Sequence, residues 1–237
     1  MEVDGYRIEP GADLAGADLV RVNLAGANLA GANLSGAYLT LADMQGANLS
    51  GANMTNFVRL RNSKLMGANL QSANLANAML RGANLFGANL TGADLQGAQL
   101  KDANLFGANL TGANLTNADL KRTNLAGVDL TSANLEGASL DLSNLSNANL
   151  SGLNLTGTYL YGAYLGWANL SGTNLTGADL SNAVLSRANL SGADLQGANL
   201  AGAFLIDTHL TSTNLANTNL TDANLGGATM PAGWTRD

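Results

Sequence analysis

Apolar side chains recur every fifth residue along nearly the whole chain. Leu or Met stands at 14, 19, 24, 29, 34, 39, 44, 49 and 54; one residue is inserted, and the series resumes at Leu60 and runs every five residues to Met230. With this position called i, residue i−2 is mostly Ala, i−1 is mostly Asn or Asp, and i+2 is most often Gly. A period of five suits neither a helix nor a flat strand. Positions i−2 and i are two apart, so in an extended segment both point to one side while the polar residue between them points to the other. Gly at i+2 gives the backbone the freedom that a sharp corner needs. Each pentad therefore predicts a short straight side and a corner. A chain that turns the same way at every corner becomes a coil with Leu and Ala inside.

Composition narrows the function. Charged residues make up 12% of the chain, against about a quarter in ordinary domains. Such a composition alone leans towards disorder, but strict periodicity predicts a repeat fold instead. A net charge of −6 and a pI near 4.6 disfavour non-specific binding to phosphate backbones. The absence of cysteine excludes disulfides, thiol catalysis and cysteine-bound zinc or iron–sulfur clusters. No apolar run approaches the ~18 residues of a membrane span. The start, MEVDGYRIEPGADL, has neither the basic nor the apolar region of a signal peptide. A cytoplasmic location is expected, with the periplasm or thylakoid lumen applying if such a segment had been removed.

The A(N/D)LxG unit, seen as AGANL at 25–29, SGADL at 191–195 and QGANL at 196–200, resembles the pentapeptide-repeat family, particularly the Ala- and Asn-rich kind common in cyanobacteria. The likeness covers residues 12–230, and the tail MPAGWTRD resembles the Met-Pro-x-Gly endings of cyanobacterial relatives. It implies an all-β fold, a right-handed quadrilateral parallel β-helix with four pentapeptides per coil and about 11 coils, a rod about 50 Å long at the ~4.8 Å strand spacing. Residues 1–11 then form a lead-in or cap, 12–230 the β-helix with a one-residue register break near 55–60, and 231–237 a cap or tail. The break, TNFVRL, reads as a corner bulge or as a kink presenting Phe57. Pro231 stops the pattern, and Trp234 is available to lie over the last coil. At the other end only Val3, Tyr6 and Ile8 can serve as a lid. The N-terminal end is therefore expected to be poorly capped and to favour an end-to-end homodimer.

With twenty residues per coil, side chains twenty apart stack, and the outward i+1 positions sort into ladders. One reads Arg61, Arg81, Lys101, Lys121, Asp141; the next reads Met66, Phe86, Phe106, Ala126. Phe86 is thus expected against Phe106. Arg59 and Lys64 join the basic ladder at i−1, while Tyr164, Val184 and Phe204 stack at i−1 on the Phe86 face, with Ile206 beside Phe204 and Tyr159, Tyr161 and Trp167 close by. Exposed apolar surface of this kind marks candidate interaction sites. An uncompensated Lys/Arg ladder costs repulsion, which points to an anionic partner.

Catalysis has little support. His209 is the sole histidine and sits at an outward i−1 position with no cluster to make a metal site. The Asp residues at i−1, such as Asp94 and Asp179, occupy the same outward slot as Asn and read as solubilising variation. No cofactor is expected. The expectation is a non-enzymatic scaffold binding an unknown protein. The family resemblance supplies an alternative, a DNA mimic acting on a type II topoisomerase such as gyrase, although the weak negative charge and the basic ladder fit it badly. A lesser alternative is ice or surface binding through the face carrying Thr91, Thr111 and Thr131 beside Asn69, Asn89 and Asn109.

Overall fold

The computed structural model describes residues 1–235; Arg236 and Asp237, part of the expected tail, lie outside them. The pentads form a β-solenoid, and no helix occurs among the described residues. Residues at i−1 make parallel bridges to residues twenty later, as in Asn69 with Asn89 and Tyr164 with Val184. Four pentads complete a lap.

The pentad around Leu85 accounts for all five of its backbone N–H groups. Asn84 donates back to the Ser63 carbonyl at 2.9 Å, while Leu85 and Gly87 donate forward to the carbonyls of Asn104 at 2.7 Å and Phe106 at 3.0 Å. Ala88 closes the corner by donating to the Leu85 carbonyl at 2.9 Å. The fifth N–H, that of Phe86, donates to the side-chain Oδ1 of Asn84 at 3.2 Å. Complete pairing is what allows so narrow a coil to be built without orphaned donors. The corner needs positive φ at i+2, which Gly87 supplies at 62°. The same slot holds Leu142 at φ 58° and Trp167 at φ 61°, bulky residues in a conformation they rarely adopt.

Leu at i and Ala at i−2 fill the axis almost without exposure. Where i−2 carries a hydroxyl, it usually bonds a core carbonyl, as Thr123 does with Leu100 at 3.0 Å. Ser143 Oγ and Thr158 Oγ1 are buried without such a partner. The register break is a corner bulge. Asn56 and Phe57 both take positive φ, Phe57 turns outward, and bridging resumes across the break with a step of one more residue, as in Tyr38 with Arg59.

The N-terminal end differs from expectation. Residues 1–8 form a hairpin in which β1 (Glu2–Val3) pairs antiparallel with β2 (Tyr6–Arg7). Asp4 and Gly5 both have positive φ, as a tight two-residue hairpin turn requires. Val3 and Tyr6 pack on the core, Ile8 is buried, and the Tyr6 hydroxyl accepts the Asp18 N–H at 3.3 Å. Leu14, Leu19, Leu24 and Leu29 of the first coil are consequently buried. The expected poor N-terminal cap is therefore overturned, and the end-to-end homodimer loses the bare edge that motivated it. At the C-terminal end, Leu215, Leu220, Leu225 and Met230 are only partly buried. Trp234 stands beside Leu215 and Leu220 in a cleft of about 540 Å³.

Candidate functional site

Four faces run along the rod. Face I carries Arg59, Met79, Gln99, Asp119, Ser139 and Tyr159 at i−1; face II carries Lys64, Asn84, Asn104, Asn124, Asn144, Tyr164, Val184 and Phe204. Faces III and IV follow, led after the break by Asn69 and Asn74. The corner between I and II holds Arg61, Arg81, Lys101 and Lys121, and that between II and III holds Met66, Phe86 and Phe106.

The polar residue at i−1 has a structural duty. At each Asn or Asp in this slot, Oδ1 accepts the N–H two residues on, at 3.0–3.4 Å. Neighbouring amides also link between coils, as from Asn89 Nδ2 to Asn69 Oδ1 at 3.1 Å. The i−1 aspartates are thus structural acceptors, a correction to their reading as solubilising variation. Exceptions to the slot are Tyr38, Arg59, Met79, Gln99, Ser139 and Tyr159 on face I, Lys64, Tyr164, Val184 and Phe204 on face II, and His209 and Thr229 on face III. Face IV has none. The repeat forgoes its own hydrogen bond almost solely on two adjacent faces, and departures from a local structural rule are expected where function competes with stability.

The basic corner is partly compensated. Asp102 bridges Arg81 at 3.3 Å and Arg122 at 2.8 Å, Asp141 pairs with Lys121 at 3.6 Å, and Asp43 pairs with Lys64 at 2.9 Å. The Lys64 ammonium, bonded to Asp43, holds that carboxyl below its usual range. The ladder is therefore not the uncompensated row expected from the sequence. Arg61 and Lys101 have no ion pair among the described residues, and Arg59 lies 4.1 Å from the Tyr38 ring centroid. Arg122, which the sequence reading passed over, belongs to this corner. Its signal was its adjacency to Lys121.

Phe86 and Phe106 stack with ring centroids 5.7 Å apart and planes at 15°, and both remain exposed, as does Met66. Tyr164, Val184 and Phe204 form the bridged column expected on face II, with Ile206 exposed beside it. Between the Phe pair and Tyr164 the face dips. A cleft of about 350 Å³ is lined by Arg122, Leu142, Asn124, Asn144, Ser146 and Tyr164. Leu142 leans across the corner over Gly162, where a Cβ would lie only 2.7 Å from its Cδ2. Tyr159 and Tyr161 are exposed on face I and its corner, and Trp167 carries Arg187 over its ring at 4.9 Å.

Elsewhere the surface is quieter. No group of three or more His, Cys, Asp or Glu able to hold a metal occurs among the described residues, and no helix among them is long and apolar enough to cross a membrane. The hydroxyls of Thr91 and Thr111 donate to their own Asn89 and Asn109 at 2.7 Å, so those donors are engaged within the molecule.

The family described as Pentapeptide repeats matches in eight copies over residues 17–56, 57–92, 83–122, 123–162, 163–202 and 188–227. Among solved structures, the chain is similar to HetL, a pentapeptide repeat protein involved in heterocyst differentiation regulation from the cyanobacterium Nostoc sp. strain PCC 7120. The identity is 32%, covering 98% of this chain and 94% of that one, with a TM-score of 0.42. It is also similar to Rfr23, a pentapeptide repeat protein from the cyanobacterium Cyanothece 51142, at 27% identity over 70% of this chain and 90% of that one, TM-score 0.17. Full-length QnrB1, a plasmid-mediated fluoroquinolone resistance protein, is 18% identical over 78% of this chain and 84% of that one, TM-score 0.33. No curated protein matches.

Proposed function

We propose, from the premise that this chain belongs to the pentapeptide-repeat family, that it is a non-enzymatic scaffold. It is a right-handed rod of about 11 coils that binds another protein through face II and its two corners. One observation carries this reading. The residues that abandon the Asn/Asp slot cluster on faces I and II, beside the stacked Phe86 and Phe106 and the cleft at Leu142 and Tyr164. Large exposed aromatics near Arg are the residue types that anchor protein interfaces.

Seven of the chain's 11 Lys and Arg residues, namely Arg59, Arg61, Lys64, Arg81, Lys101, Lys121 and Arg122, fall on or beside the corner between faces I and II. This corner is the wrong sign for a DNA mimic, so a gyrase supercoiling assay is expected to show no effect of excess protein. Affinity capture with the rod and its Phe86→Ser/Phe106→Ser/Tyr164→Asn variant tests the main reading. A partner held by the first and lost by the second is expected. Identical captures from both would count against a binding role for face II.

A further inference from the structure

We infer that face II is a trough for an acidic, amphipathic helix of about four to five turns, laid parallel to the rod axis. This rests on the protein-binding reading and names the partner's chemistry. The trough has two unlike walls. Arg81, Lys101, Lys121 and Arg122 form one, and Phe86 and Phe106 the other. Its floor is the amide column Asn84, Asn104, Asn124 and Asn144, whose side chains bond one to the next at 3.2–3.3 Å. The amides of the floor are therefore largely satisfied by one another, and the floor deepens towards Tyr164 into the cleft. Lys64 stands at one end and Tyr164 at the other, five coils apart, roughly 24 Å at the ~4.8 Å coil rise. A helix of about 16 residues spans that length at 1.5 Å per residue.

The spacing of the walls selects a helix over an extended segment. Successive coils present their side chains ~4.8 Å apart, and a helix repeats its contact face every ~5.4 Å. Alternate side chains of an extended strand recur at roughly 6.6 Å, which loses register within two coils. The Phe86–Phe106 centroid separation of 5.7 Å matches the helical pitch. The cleft of about 350 Å³ between Leu142, Arg122 and Tyr164 accepts one apolar side chain of the helix near its end.

Charge fixes the sign of the partner. Lys101 has no ion pair among the described residues, and Arg81 and Arg122 share the single carboxylate of Asp102. An acidic flank on the helix completes this wall. The same basic and aromatic components also suit single-stranded nucleic acid. However, the two Phe rings lie stacked at 15° to each other, which leaves little ring face for bases, and the chain as a whole carries −6.

Three hydrocarbon-stapled 16-residue helices sharing one leucine stripe, with Glu, Gln or Lys along the adjoining flank, test the proposal by fluorescence anisotropy on the full chain. A fifteen-nucleotide oligothymidylate serves as the competing probe. The Glu helix is expected to bind at least about tenfold more tightly than the Lys helix at low salt, with the gap shrinking as salt screens the wall. Lys101→Glu/Lys121→Glu should reverse that order. Phe106→Ser and Leu142→Gly should each weaken the Glu helix at least about threefold. Leu142→Gly keeps the rod folded because its slot has φ 58°, a value glycine adopts without strain.

The face III control Ser171→Ala should change nothing. Equal binding of the Glu and Lys helices, binding no weaker to Leu142→Gly and Phe106→Ser, no binding at all, or tighter binding of the oligonucleotide would overturn the inference. In those cases a partner whose capture depends on Phe86, Phe106 and Tyr164 would still uphold the broader reading. Loss of that dependence would remove both.

Discussion

Restoring the repeat's own rule on face II should strengthen the fold while removing the apolar column at 164, 184 and 204. The triple change Tyr164→Asn, Val184→Asn and Phe204→Asn places amides in the column between Asn144 and Asn224. Three backbone N–H groups, those of Gly166, Ser186 and Ile206, make no hydrogen bond among the described residues. Each would gain an Oδ1 acceptor, worth about 0.5–1 kcal/mol apiece at a partly exposed site. Four amide links would form along the column, each about 0.2–0.5 kcal/mol. Against this stand two lost apolar pairs, Tyr164 with Val184 and Val184 with Phe204, at roughly 0.2–1 kcal/mol each. The lower strand preference of Asn costs a further ~0.5 kcal/mol per site.

The net expectation is a gain of about 1 kcal/mol. Urea unfolding followed by far-ultraviolet circular dichroism should show a higher midpoint, with the midpoint preferred over an extrapolated free energy because solenoids need not unfold in two states. The same rod should bind the Glu helix more weakly, because Tyr164 no longer lines the cleft. A midpoint below that of the parent chain would refute the claim that these three residues are kept at the expense of stability.

Ser143→Ala removes a buried hydroxyl without a partner and should raise stability by about 1 kcal/mol, whereas Thr123→Ala, which breaks a bond to the Leu100 carbonyl, should not; thermal melts compare the two. Leu120→Ala in the closed middle of the rod should cost about 3 kcal/mol or more, while Leu220→Ala at the partly exposed end should cost clearly less in the same melts. For Asp43, the depressed folded pKa means its ion pair with Lys64 adds stability that is fully present above the ordinary value of 3.8 and is lost as pH falls through the lower folded value. A carboxyl titration by nuclear magnetic resonance should place Asp43 low in the parent chain and return it towards 3.8 in Lys64→Met.

The coil was legible because its instructions are local. A large residue at i, a small one at i−2 and a permissive one at i+2 act within a single pentad, and the spacing of Phe86 and Phe106 reveals the lap. The remainder depends on contacts that the pentad does not contain. Asp102 can serve Arg81 and Arg122 only because the i+2 position of one coil meets corner residues of its neighbours, so the charge of the corner needs the register in three dimensions. The duty of Asn84 was hidden because the sequence does not say which of five N–H groups the ladder leaves over. The N-terminal lid turned on Asp4–Gly5, a turn pair flanked by strands of two residues each, too short to register as alternation.

A solenoid distributes stability over contacts between neighbouring coils, and this one also divides it among faces. Face IV keeps its Asn/Asp slot filled throughout and face III nearly so, which lets the other two faces give up hydrogen bonds without opening the coil. Such a division suits recognition. Side chains on faces I and II are held at coil spacing by the coil-to-coil backbone ladder beneath them, and the Phe pair is already stacked. Little further ordering is then needed when a partner docks, and the usual entropic penalty for immobilising interface side chains is reduced. The αL strain of Leu142 and Trp167 fits the same account. Glycine would serve the corner better in both places, and each projects its bulk beside face II instead, Leu142 over the cleft and Trp167 under the guanidinium of Arg187.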